Sequence, residues 1–221
     1  MDLYLDSANT ADWDRLMPTG MFTGITTNPL LAARAGLDYP RIDWADMAKR
    51  AADLGARELH AQVYGAPDSF GPWAARLLEA GEKAGLRTVI KVPLVEQAIR
   101  TVPALRKAGC PILMTACYDA KQILVASTLG ADYIAPYFGR MLESGLSAYE
   151  AMAQMLTVTR STGNKTRVLV ASLRDTDQMC RLSEMGHDCF TISAAVADML
   201  LTDDNSAAAV AQFEAAAAGT L

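Results

Sequence analysis

The sequence predicts a single (β/α)8 barrel, and three observations support this fold class. The chain of 221 residues has the length of one such domain, and no linker or repeat divides it. Eight short apolar, β-branched runs alternate with longer stretches of helical character. Four of the runs follow a glycine that would end the preceding helix: Gly85, Gly109, Gly130 and Gly186. We therefore expect residues 1–221 to form one domain.

The strands and helices can be assigned in order from these patterns. The eight predicted strands are residues 3–6, 22–27, 58–64, 87–94, 111–118, 132–138, 167–173 and 188–193. The clearest predicted helices are residues 69–84, 96–108, 120–129, 147–161 and 175–185. A doubly wound open sheet is the alternative architecture, but no GxGxxG or Walker motif supports it.

The alanine-rich tail, residues 203–221, is predicted to form a C-terminal helix. Val210 and Phe213 give this helix an apolar stripe. The stripe would pack either on the helix's own barrel or on a neighbouring subunit, and we favour the neighbouring subunit.

Composition limits the kinds of binding partner and the cellular compartment that are expected for this protein. The net charge of −5 argues against a nucleic-acid surface or an anionic membrane surface, although local arginines could still bind a small anion. The N-terminal segment carries acidic residues early and is not expected to be a signal peptide. No apolar run approaches the length of a membrane span. The four cysteines lack metal-ligand spacing, as expected of free thiols in a reducing cytoplasm.

Each predicted strand has a polar residue at or near its end. In a (β/α)8 barrel these ends meet at one face, where catalytic groups lie. Eight converging polar ends would therefore surround a cleft. The residues are Asp6, Thr26, Gln62, Lys91, Thr115, Tyr137, Ser172 and Ser193.

Lys91 is the most unusual of these residues, because it interrupts the run Val-Ile-Lys-Val-Pro-Leu, which is apolar on both faces. Burying an ammonium group is costly, and a protein can reduce the cost by lowering the lysine pKa. A neutral amine is a nucleophile that can form a Schiff base with a carbonyl. The alternative is a structural ion pair with Asp6 or another carboxylate. The sequence of this strand does not decide between a Schiff-base lysine and a structural ion pair.

Four other polar residues receive simpler assignments. His60 alternates with apolar neighbours and is expected to be a hydrogen-bonded core residue rather than a proton shuttle. His187, at a helix-to-strand turn, is expected on the surface. Asn28 precedes a proline that suits the first position of a helix, so it is expected to cap that helix. Thr26 is a candidate substrate contact.

Two positively charged side chains follow the sixth and seventh strands. Barrel enzymes often bind phosphate near the seventh and eighth strands, so Arg140 and Ser172 together are a candidate phosphate site. Arg174 is expected to pair with Asp175 or Asp177 on the surface.

Seven segments, in this order and spacing, carry a resemblance that covers nearly the whole chain. They are MDLYLDSAN, GITTNPLLAA, HAQV, VIKVPL, ILMTACY, DYIAPYFGR and VLVASLR. Together they resemble the small transaldolase-like proteins and, within them, the fructose-6-phosphate aldolases. The combination of TTNP with a lysine in IKVP is specific.

The resemblance implies a class I mechanism without metal or cofactor. The lysine of the IKVP motif forms the Schiff base in this family, which assigns that role to Lys91. The family's acid and asparagine match Asp6 and Asn28, which would hold sugar hydroxyls. Its phosphate-binding pair matches Arg140 and Ser172.

The aldolase branch of the family holds a catalytic water with three residues that match Gln62, Thr115 and Tyr137. Transaldolases typically carry glutamate and phenylalanine at the first and last of these positions, so both residues here have the aldolase form. The loop Phe138-Gly139-Arg140 is closer to the transaldolase pattern. The more acidic stretch that follows Arg174 departs from the family.

The predicted function is a class I aldolase that cleaves or forms a carbon–carbon bond in a ketose phosphate such as fructose 6-phosphate. The donor would be of the dihydroxyacetone type and the acceptor of the glyceraldehyde 3-phosphate type. The alternatives are a transaldolase, a non-covalent phosphosugar isomerase and a non-catalytic barrel. We expect a cytoplasmic homo-oligomer, and the resemblance implies a pentamer or decamer.

Overall fold

The inner wall of the molecule is a parallel β-sheet whose eight strands follow one another around the barrel. The computed structural model describes residues 1–163 and 165–220. The strands are β1 (Asp2–Asp6), β2 (Phe22–Thr26), β3 (Glu58–Gln62), β4 (Arg87–Pro93), β5 (Ile112–Cys117), β6 (Tyr133–Pro136), β7 (Arg167–Val168) and β8 (Cys189–Ile192). Every predicted strand is therefore present, several of them one or more residues shorter than expected.

The barrel closes through its first, seventh and eighth strands. β8 pairs with β1, where Leu3 lies opposite Phe190. Beyond the end of β7, Val170 forms a parallel bridge with Phe190, and its amide donates to the Cys189 carbonyl at 2.9 Å. The amide of Thr191 donates back to the Val170 carbonyl at 2.9 Å. The predicted (β/α)8 fold class is thus confirmed.

Helices surround the sheet and cover its outer face. In the described residues they are α1 (Thr10–Leu16), α2 (Pro29–Arg34), α3 (Trp44–Asp53), α4 (Phe70–Ala84), α5 (Glu96–Ile99), α6 (Val102–Lys107), α7 (Gln122–Thr128), α8 (Phe138–Glu143), α9 (Ala148–Thr162), α10 (Thr176–Glu184), α11 (Ala194–Leu201) and α12 (Asp204–Ala217). None of them is long and apolar enough to cross a membrane.

Two of the predicted helices have different boundaries in the structure. The helix expected over residues 96–108 is divided into α5 and α6. Pro103 lacks an amide proton, and its ring would clash with the carbonyl four residues earlier in a continuous helix. The C-terminal helix α12 begins after Asp203, whose side chain accepts a hydrogen bond from the Ser206 amide.

The barrel interior contains a buried polar network around Glu58, at the N-terminal end of β3. Its carboxylate accepts hydrogen bonds from Tyr4 at 2.9 Å and Tyr133 at 3.1 Å, and it also pairs with Arg87. His60 lies 2.7 Å from the same carboxylate and is fully buried. Burial alone would raise the pKa of Glu58, but the bonds from His60 and Arg87 outweigh it and hold that pKa at about 2.

The ionised Glu58 fixes the state of His60. A carboxylate can only accept hydrogen bonds, so Nε2 of His60 carries the proton. Burial lowers the pKa of His60, against the opposing effect of Glu58, which favours a neutral ring. The expected hydrogen-bonded core role of His60 is confirmed, although its Nδ1 is buried without a hydrogen-bond partner in the described chain.

Replacing Glu58 with glutamine is expected to lower the free energy of unfolding by about 3 kcal/mol, because it leaves several buried donors poorly paired. Urea unfolding at pH 7 measures this loss. The matched control is Glu79→Gln on α4, which breaks only an exposed pair with Lys83 and should leave stability unchanged.

The contribution of Glu58 should also depend on pH. Its folded pKa, about 2, lies below the unfolded value, so its stabilisation is fully present above about pH 4.3 and disappears as the pH falls toward 2. The difference between the wild type and Glu58→Gln should shrink over that interval. A difference that stays constant from pH 5 to pH 2.5 would contradict the assignment of an ionised Glu58.

The expectation that His187 lies on the surface is wrong. Its side chain is buried beside α9, near the backbone of Met152, and burial lowers its pKa to about 4. A turn between a helix and a strand is usually exposed, but here the packing of α9 covers it. α9 ends 25 positions before His187, so the sequence around His187 does not reveal this cover.

Candidate active site

A cavity of about 340 Å³ opens at the C-terminal ends of the strands. Nine side chains were assigned to the site from the sequence, and the structure brings eight of them to this cavity. They are Asp6, Thr26, Asn28, Lys91, Thr115, Tyr137, Arg140 and Ser172. The ninth, Gln62, does not line it.

Lys91 lies on β4 at the base of the cavity, and only 5% of it is exposed. In the described residues its Nζ has no ion pair and no hydrogen bond, so the structural ion pair with Asp6 is not formed. Burial lowers the pKa of Lys91, and the Asp6 carboxylate opposes this effect from a distance. A lysine in this setting releases its proton more readily than a lysine in water and becomes a nucleophile.

Asp6 is held in place by its neighbour on β2. The hydroxyl of Thr26 donates to Oδ1 of Asp6 at 2.7 Å and lies 2.5 Å from the hydroxyl of Thr191. Since Thr26 has one proton and gives it to Asp6, Thr191 must be the donor in the second bond. Thr26 therefore positions Asp6. Thr191 belongs to the cavity wall, although the sequence did not single it out.

Thr115 and Tyr137 form a hydroxyl pair across the cavity from Asp6. Their oxygen atoms are 2.9 Å apart. Burial raises the pKa of Tyr137, with the bond to Thr115 opposing it, so the phenol stays protonated. β5 is irregular beyond Thr115, because Ala116 has a left-handed backbone with φ of 58°. The pair offers both a donor and an acceptor to a bound water.

Gln62 lies opposite Lys91 in the register of β3 and β4, so both side chains are on the inner face. The phenol of Tyr39 fixes the Gln62 backbone, since it donates to the carbonyl at 2.7 Å and accepts from the amide at 2.9 Å. The Gln62 side chain makes no hydrogen bond in the described residues. The strand register places the Gln62 side chain beside Lys91, but Gln62 does not line the cavity.

Asn28 has the capping role that the sequence predicted. Its Oδ1 accepts hydrogen bonds from the amides of Leu30 and Leu31, both at 3.0 Å, at the start of α2. Because the cap uses only the oxygen, the amide group Nδ2 remains available to a ligand in the cavity.

Arg140 and Ser172 both line the cavity, Arg140 from α8 and Ser172 from the segment after β7. The Arg140 guanidinium stacks over the ring of Tyr137, 5.0 Å from its centroid, and is also held by the hydroxyl of Tyr118 at 3.5 Å. Ser172 has a left-handed backbone with φ of 65°, unusual for a serine. Tyr118 is a further residue that sequence reasoning missed.

The predicted pairing of Arg174 with Asp175 or Asp177 is wrong. Arg174 pairs with Glu143 on α8 at 2.7 Å and 3.2 Å, and its Nη1 donates to the Ser172 carbonyl at 2.9 Å. Asp175 instead caps α10 by accepting from the amide of Gln178. The Asp175 side chain is therefore used to cap α10. Arg174 pairs with Glu143 instead.

Gly139 permits the approach of α8 to the end of the seventh strand. Its amide donates to the Ser172 carbonyl at 3.1 Å, and a Cβ at this position would lie 2.0 Å from that oxygen. Gly139→Ala should therefore displace α8, and Arg140 with it, and lower the free energy of unfolding by about 1–3 kcal/mol in urea unfolding. Gly71→Ala on α4, where a Cβ meets no atom within 4 Å, is the control.

The barrel and its cavity define a class of protein, a (β/α)8 enzyme with a buried lysine among polar strand ends. A family model described as transaldolase/fructose-6-phosphate aldolase matches residues 3–220. The chain belongs to this family, which is a family of aldolase-type enzymes.

Individual relatives agree with this assignment. A probable transaldolase of Anaeromyxobacter dehalogenans is 31% identical over 203 residues, covering 90% of this chain and 88% of that protein. A probable transaldolase of Leptospira biflexa is 28% identical over 216 residues and 96% of each chain. Thiamine phosphate pyrophosphorylase from Pyrococcus furiosus has a similar fold, with a TM-score of 0.59 at 15% identity over 89% of this chain and 87% of that chain.

Proposed function

We propose that this protein is a class I aldolase for a ketose phosphate such as fructose 6-phosphate. The single observation that carries the proposal is Lys91, a buried lysine in the lining of a polar cavity that forms no ion pair within the part of the chain that the structure describes. Dihydroxyacetone-type ketones would be the donors and glyceraldehyde 3-phosphate-type aldehydes the acceptors.

The reaction begins when the neutral amine of Lys91 adds to the ketone carbon of the substrate. The carbinolamine loses water and leaves an iminium, which withdraws electrons from the adjacent carbon–carbon bond. A water held by Thr115 and Tyr137, with Gln62 beside Lys91, accepts the proton from the C4 hydroxyl as the C3–C4 bond breaks. The aldehyde leaves, and an enamine of the three-carbon unit remains on Lys91.

Protonation of the enamine carbon and hydrolysis of the resulting iminium then release dihydroxyacetone and restore Lys91. The water for hydrolysis must also be positioned, and the Thr115–Tyr137 pair in the cavity lining can both donate and accept. Asp6 and Asn28 would hold the hydroxyls of the sugar. The phosphate would bind Arg140 and Ser172, where a guanidinium and a hydroxyl face the cavity.

A transaldolase is the second candidate, and the relatives favour it by their names. In that reaction the enamine on Lys91 adds to a second aldose phosphate instead of being hydrolysed. An assay with fructose 6-phosphate separates the two functions. Release of free dihydroxyacetone in the absence of an acceptor supports the aldolase, whereas turnover that requires erythrose 4-phosphate supports the transaldolase.

We also propose that α12 packs on a neighbouring subunit of a pentamer or decamer. None of its residues is buried in the single chain, and Phe213 is 68% exposed. Light scattering after size exclusion should give a multiple of the chain mass, reduced by Phe213→Asp. We expect a cytoplasmic location, where free cysteines such as those of this chain remain reduced.

A further inference from the structure

The cavity is more positively charged than the protein as a whole. Arg34, Lys91 and Arg140 all line it, and in the described residues none of them has an ion pair. The fourth cationic lining residue, Arg174, is neutralised by Glu143. Asp6 is the only carboxylate among the lining residues, in a chain whose net charge is −5. The cavity therefore carries more positive charge than one phosphate site and one catalytic lysine require.

Arg34 and Arg140 stand on opposite sides of Lys91. Arg34 is the last residue of α2, which follows β2, and Arg140 lies on α8, which follows β6. These two strands are four positions apart in the eight-stranded sheet, so their ends face each other across the barrel. The two guanidinium groups thus border the cavity from opposite walls.

Arg34 lies on the face of α2 that borders the cavity. Leu30 and Leu31 precede it by four and three positions on α2, so the three side chains share one face of the helix. All three line the cavity. The cap by Asn28 anchors the start of this helix, which fixes the face it presents. Arg34 itself is exposed, so its guanidinium is accessible to a ligand.

We propose that Arg34 binds an anionic group at the end of the substrate opposite the phosphate held by Arg140. The donor ketone would then carry a phosphate or a carboxylate on its terminal carbon. A guanidinium binds either group through two parallel hydrogen bonds. The proposal rests on the proposed function, because Lys91 must engage the ketone that lies between the two anionic ends.

The test is borohydride trapping of the Schiff base on Lys91 with three donors: dihydroxyacetone, dihydroxyacetone phosphate and hydroxypyruvate. The wild type should reach half-maximal trapping at a concentration at least tenfold lower with an anionic donor than with dihydroxyacetone. Preference for the phosphate or the carboxylate donor identifies which anion Arg34 takes. Arg34→Gln should remove the preference, and trapping with dihydroxyacetone should stay within twofold.

Two matched variants test whether the anionic group of the donor binds at Arg34. Arg140→Gln should keep the donor preference, because that residue holds the other end of the substrate. Arg76→Gln removes an exposed arginine of α4 outside this cavity, so it controls for the change in net charge. If the wild type shows no preference for an anionic donor, the inference about Arg34 is overturned while the proposed function stands. The same conclusion follows if the preference is lost in Arg140→Gln and kept in Arg34→Gln. Failure to trap any donor would overturn the proposed function and this inference with it.

Discussion

Replacing Lys91 with methionine is expected to abolish Schiff-base formation and to reduce turnover of fructose 6-phosphate to background. The covalent step has no substitute, because no other described lysine lines the cavity. The same change should raise the free energy of unfolding by about 1–3 kcal/mol, since it replaces a buried cationic side chain with an apolar one of similar shape. Steady-state kinetics and urea unfolding measure the two effects on one variant.

The gain in stability should depend on pH in a defined direction. Burial lowers the pKa of Lys91 in the folded chain below the unfolded value of about 10.4. Between these two values the unfolded chain holds the proton and the folded chain does not, so wild-type stability rises with pH. The advantage of Lys91→Met should be largest below the folded pKa and vanish above about pH 11.

Lys91→Arg separates covalent catalysis from a purely electrostatic role. Arginine keeps the positive charge but remains protonated and cannot act as the amine nucleophile. An aldolase should lose its activity in this variant as completely as in Lys91→Met. Retention of activity by Lys91→Arg would instead support the phosphosugar isomerase, in which the lysine serves only as a fixed charge.

Replacing Tyr137 with phenylalanine is expected to have the second largest effect, a fall of about 100-fold in the release of free dihydroxyacetone. The phenol is the partner of Thr115 and can donate a hydrogen bond to the water that would hydrolyse the iminium. The Schiff base should still form, because Lys91 is untouched. Cleavage should be affected less than hydrolysis, because Thr115 and Gln62 remain to hold the water that accepts the C4 proton. The three-carbon unit should then leave mainly by transfer to erythrose 4-phosphate.

Tyr149→Phe is the control for this change. Tyr149 packs against Phe138 outside the cavity, and its hydroxyl makes no hydrogen bond in the described residues. That variant should keep both release and transfer. The role given to Tyr137 would be rejected if Tyr137→Phe lowered trapping, release and transfer by the same factor, since such a result indicates general damage to the site.

Local sequence was sufficient for the strands and the polar strand ends. Apolar β-branched runs, most of them bounded by a glycine or a charged residue, have few alternatives to a buried parallel strand. Because the polar residues were assigned to strand ends, the barrel itself then brought Asp6, Thr115 and Lys91 to one cavity. These features depend on short-range patterns and on one fold-level rule.

Contacts between distant segments could not be predicted in the same way. Arg174 lies next to two acidic residues in sequence, yet its partner is Glu143, 31 positions earlier. The burial of His187 depends on α9, and the placement of Arg34 on the cavity wall depends on how α2 packs. The sequence near each of these residues carries no signal of the contact, since the partner comes from another part of the barrel.

The most direct test of the central claim is borohydride reduction of the protein in the presence of fructose 6-phosphate, and separately of dihydroxyacetone, followed by peptide mass spectrometry. We predict a three-carbon adduct on the peptide that contains Lys91 with either compound. The adduct should be absent in Lys91→Met. An unmodified Lys91 in folded, substrate-bound protein, or an adduct on a different residue, would contradict the account.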